Sequence, residues 1–205
     1  MITIHNFPRG ARGVRVAWVC EEMGLAYRSA AVSFPPSADY KARNPLGTVP
    51  FLEDEGGVAI AESVAMMLYL AERYGPTPLL PPKSDPAFAR VLELTAFGEA
   101  TVAGPMNPLI MTRFMAPDAD KTNWTAQALE RRVTQAVDHV AVVLGGKPHL
   151  AGDGFTLADI SVSCALDMWS GALKKDVPEA LAAWRARVKE RPAYLRAQAA
   201  QNAPA

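Results

Sequence analysis

The sequence predicts two domains of different class, an α/β domain first and an all-α domain after it. Three observations carry this. Strand and helix signals alternate over residues 1–76. Five of the chain's 17 prolines then fall between Pro76 and Pro86. Every periodic segment beyond them has helical spacing. The expected division is therefore 1–76, a linker over 77–86, and a helical remainder over 87–205.

The elements follow in order. Ile2 to Asn6 alternates apolar and polar, as a short strand does. Pro8, Gly10 and Gly13 break the chain before a helix over Val14 to Met23, which Gly24 stops. Tyr27 to Val32 is a second strand, and a short helix is expected near Asp39 to Ala42. Phe51–Glu53 and Val58–Ile60 flank Asp54-Glu55-Gly56-Gly57, a hairpin signature. Ser63 to Tyr74 is a helix with Val64, Met67, Leu68 and Ala71 inward. In the second domain Pro86 opens a helical span from Ala87 to about Phe114, and Asn107-Pro108 should interrupt it. Asn123 to Leu144 is the next helix, stopped by Gly145-Gly146. Others start at Thr156, Pro178 and Pro192, and the tail QNAPA should fray.

Composition excludes several function classes. The 205 residues carry 21 basic and 21 acidic side chains, so net charge is zero. A nucleic-acid binder normally carries a basic excess. Half the residues are hydrophobic, which is not the composition of a disordered chain. No apolar run approaches the roughly 20 residues needed to cross a bilayer, and MITIHNFPRG lacks the pattern of a secretory signal. Cys20 and Cys164 have no close partner in sequence, so a reducing cytoplasm is the expected location. His5, His139 and His149 lack metal-ligand spacing, and no metal is expected.

Two segments suggest ligand chemistry. In Asn44-Pro45-Leu46-Gly47-Thr48-Val49-Pro50, a proline stands just before a strand. A cis Val49-Pro50 bond would turn the Val49 backbone outward, ready to pair with a peptide as an added strand. Taken alone, an ordinary edge proline also accounts for it. Glu62-Ser63 opens a helix, where free amides and the helix dipole favour an anion. Simple capping accounts for that pair as well.

Together these features resemble the cytosolic glutathione transferases. The motif NPLGTVPFL is followed by IAESVAMMLYLAERYG, a proline-rich linker and a helical remainder. The segment Gly154 to Ile160 is similar to that family's buried capping motif, with Thr156 and Asp159 placed for a reciprocal cap and Phe155 and Ile160 for a staple. The segment WRARVKERPAYLRA looks like the end of many bacterial members.

The resemblance implies a thioredoxin-like N-terminal domain that binds glutathione and an all-α C-terminal domain that walls the electrophile. Val49, with cis Pro50, would pair with the cysteinyl backbone. Glu62 and Ser63 would hold the γ-glutamyl end. Thr48 stands where the family often has Lys or Gln and would touch the glycyl end. Phe7, Met106, Met111, Phe114 and Met115 would line the electrophile pocket. The implied reaction joins glutathione thiolate to an apolar electrophile, a detoxification chemistry, in a cytoplasmic homodimer with no nucleic-acid or membrane partner.

The catalytic position departs from the family pattern. From His5 to Trp18 there is no Ser, Thr, Tyr or Cys to face the sulfur. Asn6 stands where the tyrosine-type enzymes carry their tyrosine, and Arg12 brings a cation to the helix start. These two are the expected thiol-activating residues. The missing hydroxyl keeps two alternatives open: a non-catalytic glutathione-binding protein, and a glutathione-dependent peroxidase or isomerase on the same scaffold.

Overall fold

A computed structural model describes residues 1–8 and 11–202. Gly10, read above as a chain breaker, lies outside the described residues together with Arg9, as do positions 203–205 of the tail. The chain divides into two compact units, residues 1–80 with the chain from 189 onward, and residues 81–188.

The first unit is a four-stranded mixed sheet with helices on it, the thioredoxin-like arrangement. Its strands are β1 (Ile2–Asn6), β2 (Tyr27–Ala31), β3 (Phe51–Asp54) and β4 (Val58–Ala61), in the spatial order β2-β1-β3-β4. β1 runs parallel to β2 and antiparallel to β3, and β3 and β4 form the hairpin. The helices are α1 (Ala11–Glu22), α2 (Ala38–Arg43) and α3 (Ser63–Arg73). Ser37 caps α2 by accepting from the Tyr40 amide at 3.2 Å.

β1 forms where the alternation of apolar and polar residues predicts a short strand. All five of its residues are buried, Thr3, His5 and Asn6 included. It is an inner strand with cover on both faces, and its polar residues find partners there. His5 Nε2 meets Glu53, which also accepts from Arg43 Nη1 at 2.8 Å.

The helix α9 (Pro192–Asn202), which the sequence groups with the helical remainder, packs instead on α1. The Trp18 and Tyr194 rings lie 4.7 Å apart between centroids. Arg191 makes a two-pronged ion pair with Glu22 at 2.6 and 2.7 Å, and Arg196 reaches Glu21 at 2.6 Å. The first part of the expected linker belongs here too, because Leu79 and Leu80 are buried.

The second unit is helical: α4 (Ala87–Phe97), α5 (Gly104–Met115), α6 (Trp124–Leu144), α7 (Leu157–Asp167) and α8 (Glu179–Lys189). The interruption expected at Asn107-Pro108 comes earlier. A π-helical turn over Gly98–Ala103 joins α4 to α5, and α5 runs through Pro108. The proline lacks an amide donor and crowds the preceding turn, and the irregularity sits upstream of it.

α6 starts and stops as its sequence predicts. Asn123 accepts from the Ala126 amide at 2.9 Å, and Gly145 takes the left-handed conformation that ends the helix. α7 is buried from Leu157 to Leu166, the signature of a central helix. Asp159 at its start is fully buried yet well supplied. It accepts from the amides of Thr156 and Leu150 and from Trp184 Nε1, each at 3.0 Å. A buried carboxylate needs such donors to stand the loss of water.

Candidate functional site

Register brings the two suspect segments together. His5 pairs with Phe51, and Phe51 pairs with Ala61. The next residues outward are Asn6 on β1, Pro50 before β3 and Glu62 after β4. All three therefore lie at one end of the sheet, the end that feeds α1.

The loop before β3 is held from below. Tyr40 Oη and Asn44 Nδ2 both donate to the Thr48 carbonyl, at 2.6 and 2.7 Å. Tyr40 and Asn44 are buried, while the Thr48 side chain is exposed. Val49 is half-buried and its bond to Pro50 is cis. The loop is thus pinned at one carbonyl, with Val49 next along the chain. Lys41 stands beside it: a Cβ built on Gly47 would lie 3.4 Å from Lys41 Cε.

The start of α3 is unusual in two respects. Glu62 has φ 74° and ψ 108°, a conformation that a non-glycine residue adopts at a cost of roughly 1–3 kcal/mol. No side chain caps the helix there, so capping by the Glu62 carboxylate does not account for the pair. Ser63 is 3% exposed, and its Oγ accepts from Arg15 Nη1 at 3.2 Å. Arg15 itself is 1% exposed. A guanidinium is therefore buried beneath an uncapped helix N-terminus, where the helix dipole also favours an anion.

Comparison with known proteins gives this arrangement its relatives. Residues 12–73 match the family description "Glutathione S-transferase, N-terminal domain", and residues 105–192 match "Glutathione S-transferase, C-terminal domain". Glutathione S-transferase 2 of Saccharomyces cerevisiae is 30% identical over 161 residues, covering 75% of this chain and 68% of the yeast protein. Glutathione S-transferase 3 of Zea mays is 32% identical over 168 residues, covering 77% and 73%. The chain belongs to the glutathione S-transferase family. Among solved structures, a glutathione transferase of Methylococcus capsulatus superposes with a TM-score of 0.85 at 26% identity over 98% of both chains. The theta-class glutathione S-transferase of Xanthomonas axonopodis pv. citri, solved with glutathione bound, superposes at 0.79 with 28% identity over 96% of both.

Within this glutathione S-transferase, two residues expected at the site are placed elsewhere. Asn6 does not present its amide to an open cleft. It is 2% exposed, and its Nδ2 donates to Gln201 Oε1 of α9 at 2.6 Å. Its position at the strand end is as expected, but its donor is turned inward. Met106 is fully buried among the helices of the second unit and is core, not pocket lining. Met111, Phe114 and Met115 are instead exposed, at 55%, 68% and 72%.

Arg12 and Phe7, also expected at the site, keep half-accessible positions. Arg12 is half-buried in the first turn of α1. Phe7 is half-buried, edge-on to Phe34 at 5.6 Å, and packs against the cluster of Val32, Tyr40 and Phe51. Cys20 is fully buried, and burial pushes its thiol up to about 12, so it is an inert thiol.

Sequence reasoning missed Arg15, Lys41 and Gln201 in this transferase. Arg15 reads as one of three arginines on a solvated face. One signal was available: Val16 to Cys20 is an uninterrupted run of non-polar residues, so α1 is covered nearly all round. Gln201 gave no signal, because its partner is 195 residues away.

Proposed function

We propose that this glutathione S-transferase conjugates glutathione thiolate to apolar electrophiles. The reading rests most on the buried Arg15–Ser63 pair under the uncapped start of α3, at the end of the sheet where Val49 and Pro50 also lie. Ser63 and the α3 amides take the γ-glutamyl carboxylate. The Val49 backbone pairs with the cysteinyl residue. Thr48 and Lys41 receive the glycyl carboxylate, Lys41 supplying the charge that Thr48 lacks. Met111, Phe114 and Met115 supply exposed apolar surface for the second substrate, and methionine adapts to varied shapes.

Thiol activation falls to Arg12 and the amides of the first turn of α1. Lowering a thiol pKa from about 8.5 by two units requires roughly 2.7 kcal/mol of differential stabilisation. A nearby guanidinium and a helix N-terminus supply interactions of that order. The electron pair of the thiolate forms the C–S bond, and the leaving group departs with the pair of the bond that breaks. Titration calorimetry with glutathione, followed by conjugation assays against an aryl halide, tests the proposal. Absence of glutathione binding overturns it.

A second reading has its own observation. Asn6 is buried and its amide donates to Gln201, which turns the side chain expected to face the thiol inward. This favours a glutathione-binding protein without meaningful turnover, or a peroxidase or isomerase. The ultraviolet absorbance of bound thiolate against pH separates binding from activation. Peroxide and isomerase assays separate the remaining activities.

The assembly we infer is a homodimer. Phe34 and Leu46 are 85% and 82% exposed on the first unit, and closed twofold dimers are the commonest homo-oligomers. The buried thiols of Cys20 and Cys164 support a reducing cytoplasm as its location, and detoxification of electrophiles as its role follows from the reaction. No helix among the described residues is long and apolar enough to cross a membrane.

A further inference from the structure

We propose that Gln201, in the last turn of α9, is a positioning residue for thiol activation. Acting through Asn6, it holds the first turn of α1, and with it Arg12, where the glutathione sulfur needs a cation. This rests on the transferase reading above.

α9 is held at both ends, by α1 at one and by the sheet at the other. At the far end the contacts are Trp18 on Tyr194 and the ion pairs of Glu21 and Glu22 with Arg196 and Arg191. These fasten the helices together. At the near end a buried amide meets the sheet. Gln201 is 5% exposed. Its Oε1 accepts from Asn6 Nδ2 at 2.6 Å, and its Nε2 donates to Ser29 Oγ at 3.1 Å. The side chain therefore ties the end of β1 to β2, and its orientation is set from both sides.

Asn6 in turn lies directly beneath α1. A Cβ built on Gly13 would come 2.1 Å from Asn6 Nδ2, closer than any side chain tolerates. Only glycine lets the helix settle this low on the amide. The height of the first turn thus depends on the Asn6 rotamer, and that rotamer depends on Gln201. Arg12 is the residue before Gly13, so any lift or tilt of this turn moves its guanidinium. Asn6 also precedes Phe7, which, like Val49, packs against the cluster of Val32, Tyr40 and Phe51. Misplacing a group by about 1 Å from a preorganised site can cost on the order of 10²-fold in rate. The loss here should be smaller, since Arg12 shares its task with main-chain amides.

The test is Gln201→Met, which keeps the length and removes both hydrogen bonds. Three measurements are made on the full chain: the pKa of bound glutathione from its thiolate absorbance, the pH profile of kcat, and KM for glutathione. The expected result is a bound-thiol pKa raised by about 0.5–1, which corresponds to a three- to tenfold smaller thiolate fraction below the pKa. The acidic limb of the kcat profile should move with it, and KM should stay within about twofold. Ser29→Ala, a milder change that frees only the far side of the Gln201 amide, should shift the pKa less in the same direction; it carries the test if Gln201→Met does not fold. Arg196→Ala is the control for docking alone and should lower the melting temperature with the thiol pKa unchanged. If Gln201→Met and Ser29→Ala also lower only the melting temperature, α9 is a brace and the proposal is wrong. If wild-type bound glutathione titrates like free glutathione, the activation reading fails and takes this proposal with it.

Discussion

Arg15 Nη1 donates to Ser63 Oγ across 3.2 Å, and both side chains are buried. The pair joins α1 to the first residue of α3. It orients the serine hydroxyl and places a positive charge under a helix start that no side chain caps. The arrangement suits a carboxylate better than a neutral ligand, since charge-assisted hydrogen bonds are roughly twice as strong as neutral ones.

Ser63→Ala should weaken glutathione binding by about 1.5–3 kcal/mol, the range for a hydrogen bond to a charged group. Arg15→Met should weaken it too and also lower the melting temperature, because the guanidinium has a packed site in the core. Calorimetry with glutathione and with a des-γ-glutamyl analogue checks the assignment. A Ser63→Ala loss equal for both ligands would mean that the serine does not face the γ-glutamyl end.

Arg12→Ala should lower both turnover and glutathione affinity and raise the pKa of the bound thiol. Asn6→Ala should lower turnover and stability together, with affinity nearly intact, since it opens space beneath Gly13 and leaves the Gln201 amide without its donor. Steady-state kinetics across pH, beside thermal melts, separate the two patterns. Equal thiol titrations in wild type and both variants would place activation elsewhere.

Lys41→Ala should raise KM for glutathione several-fold with kcat little changed, because an exposed cation contributes similarly to ground and transition states. The wild-type KM should rise with salt, and the variant's should rise less, since exposed charges are screened. A KM unchanged by the substitution would leave Thr48 as the sole glycyl-end contact.

Glu130 in α6 pairs with Lys175 at 2.6 Å and with Arg113 at 2.7 Å. The hydrogen bond from Lys175, opposed by burial and aided by Arg113, holds its carboxyl below the usual range. A carboxylate with a lowered folded-state pKa stabilises the protein above its unfolded pKa, about 4.3, and that stabilisation is lost as pH falls through the folded value. Glu130→Gln should therefore cost about 0.5–1 kcal/mol at pH 7, with no difference from wild type well below pH 4. Denaturant titrations at the two pH values check the sign, and a difference that grows on acidification would refute it.

Much of this protein is legible along the chain. The strand at Ile2–Asn6, the hairpin around Gly56-Gly57, the Asn123 cap, the Gly145 stop and the Thr156–Asp159 box depend on residues within a few positions of each other. Local sterics and backbone hydrogen bonding determine these elements, so a one-dimensional reading finds them. The motif from Asn44 to Pro50 and the Glu62-Ser63 pair are equally local, and the β3–β4 hairpin brings them to one end of the sheet.

Tertiary structure alone decided the rest. It covered β1 on both faces, seated Met106 in the core, folded α9 back onto α1, buried Arg15 and turned the Asn6 amide toward Gln201. The physical reason is that burial is not a property of a residue or its neighbours in sequence. It depends on which distant segment crosses over, and for Asn6 that segment is 195 residues away. A polar side chain at a strand end reads the same whether it meets water, a thiol or a buried glutamine. Only the packed chain, by removing water from one side, determines which partner it must find.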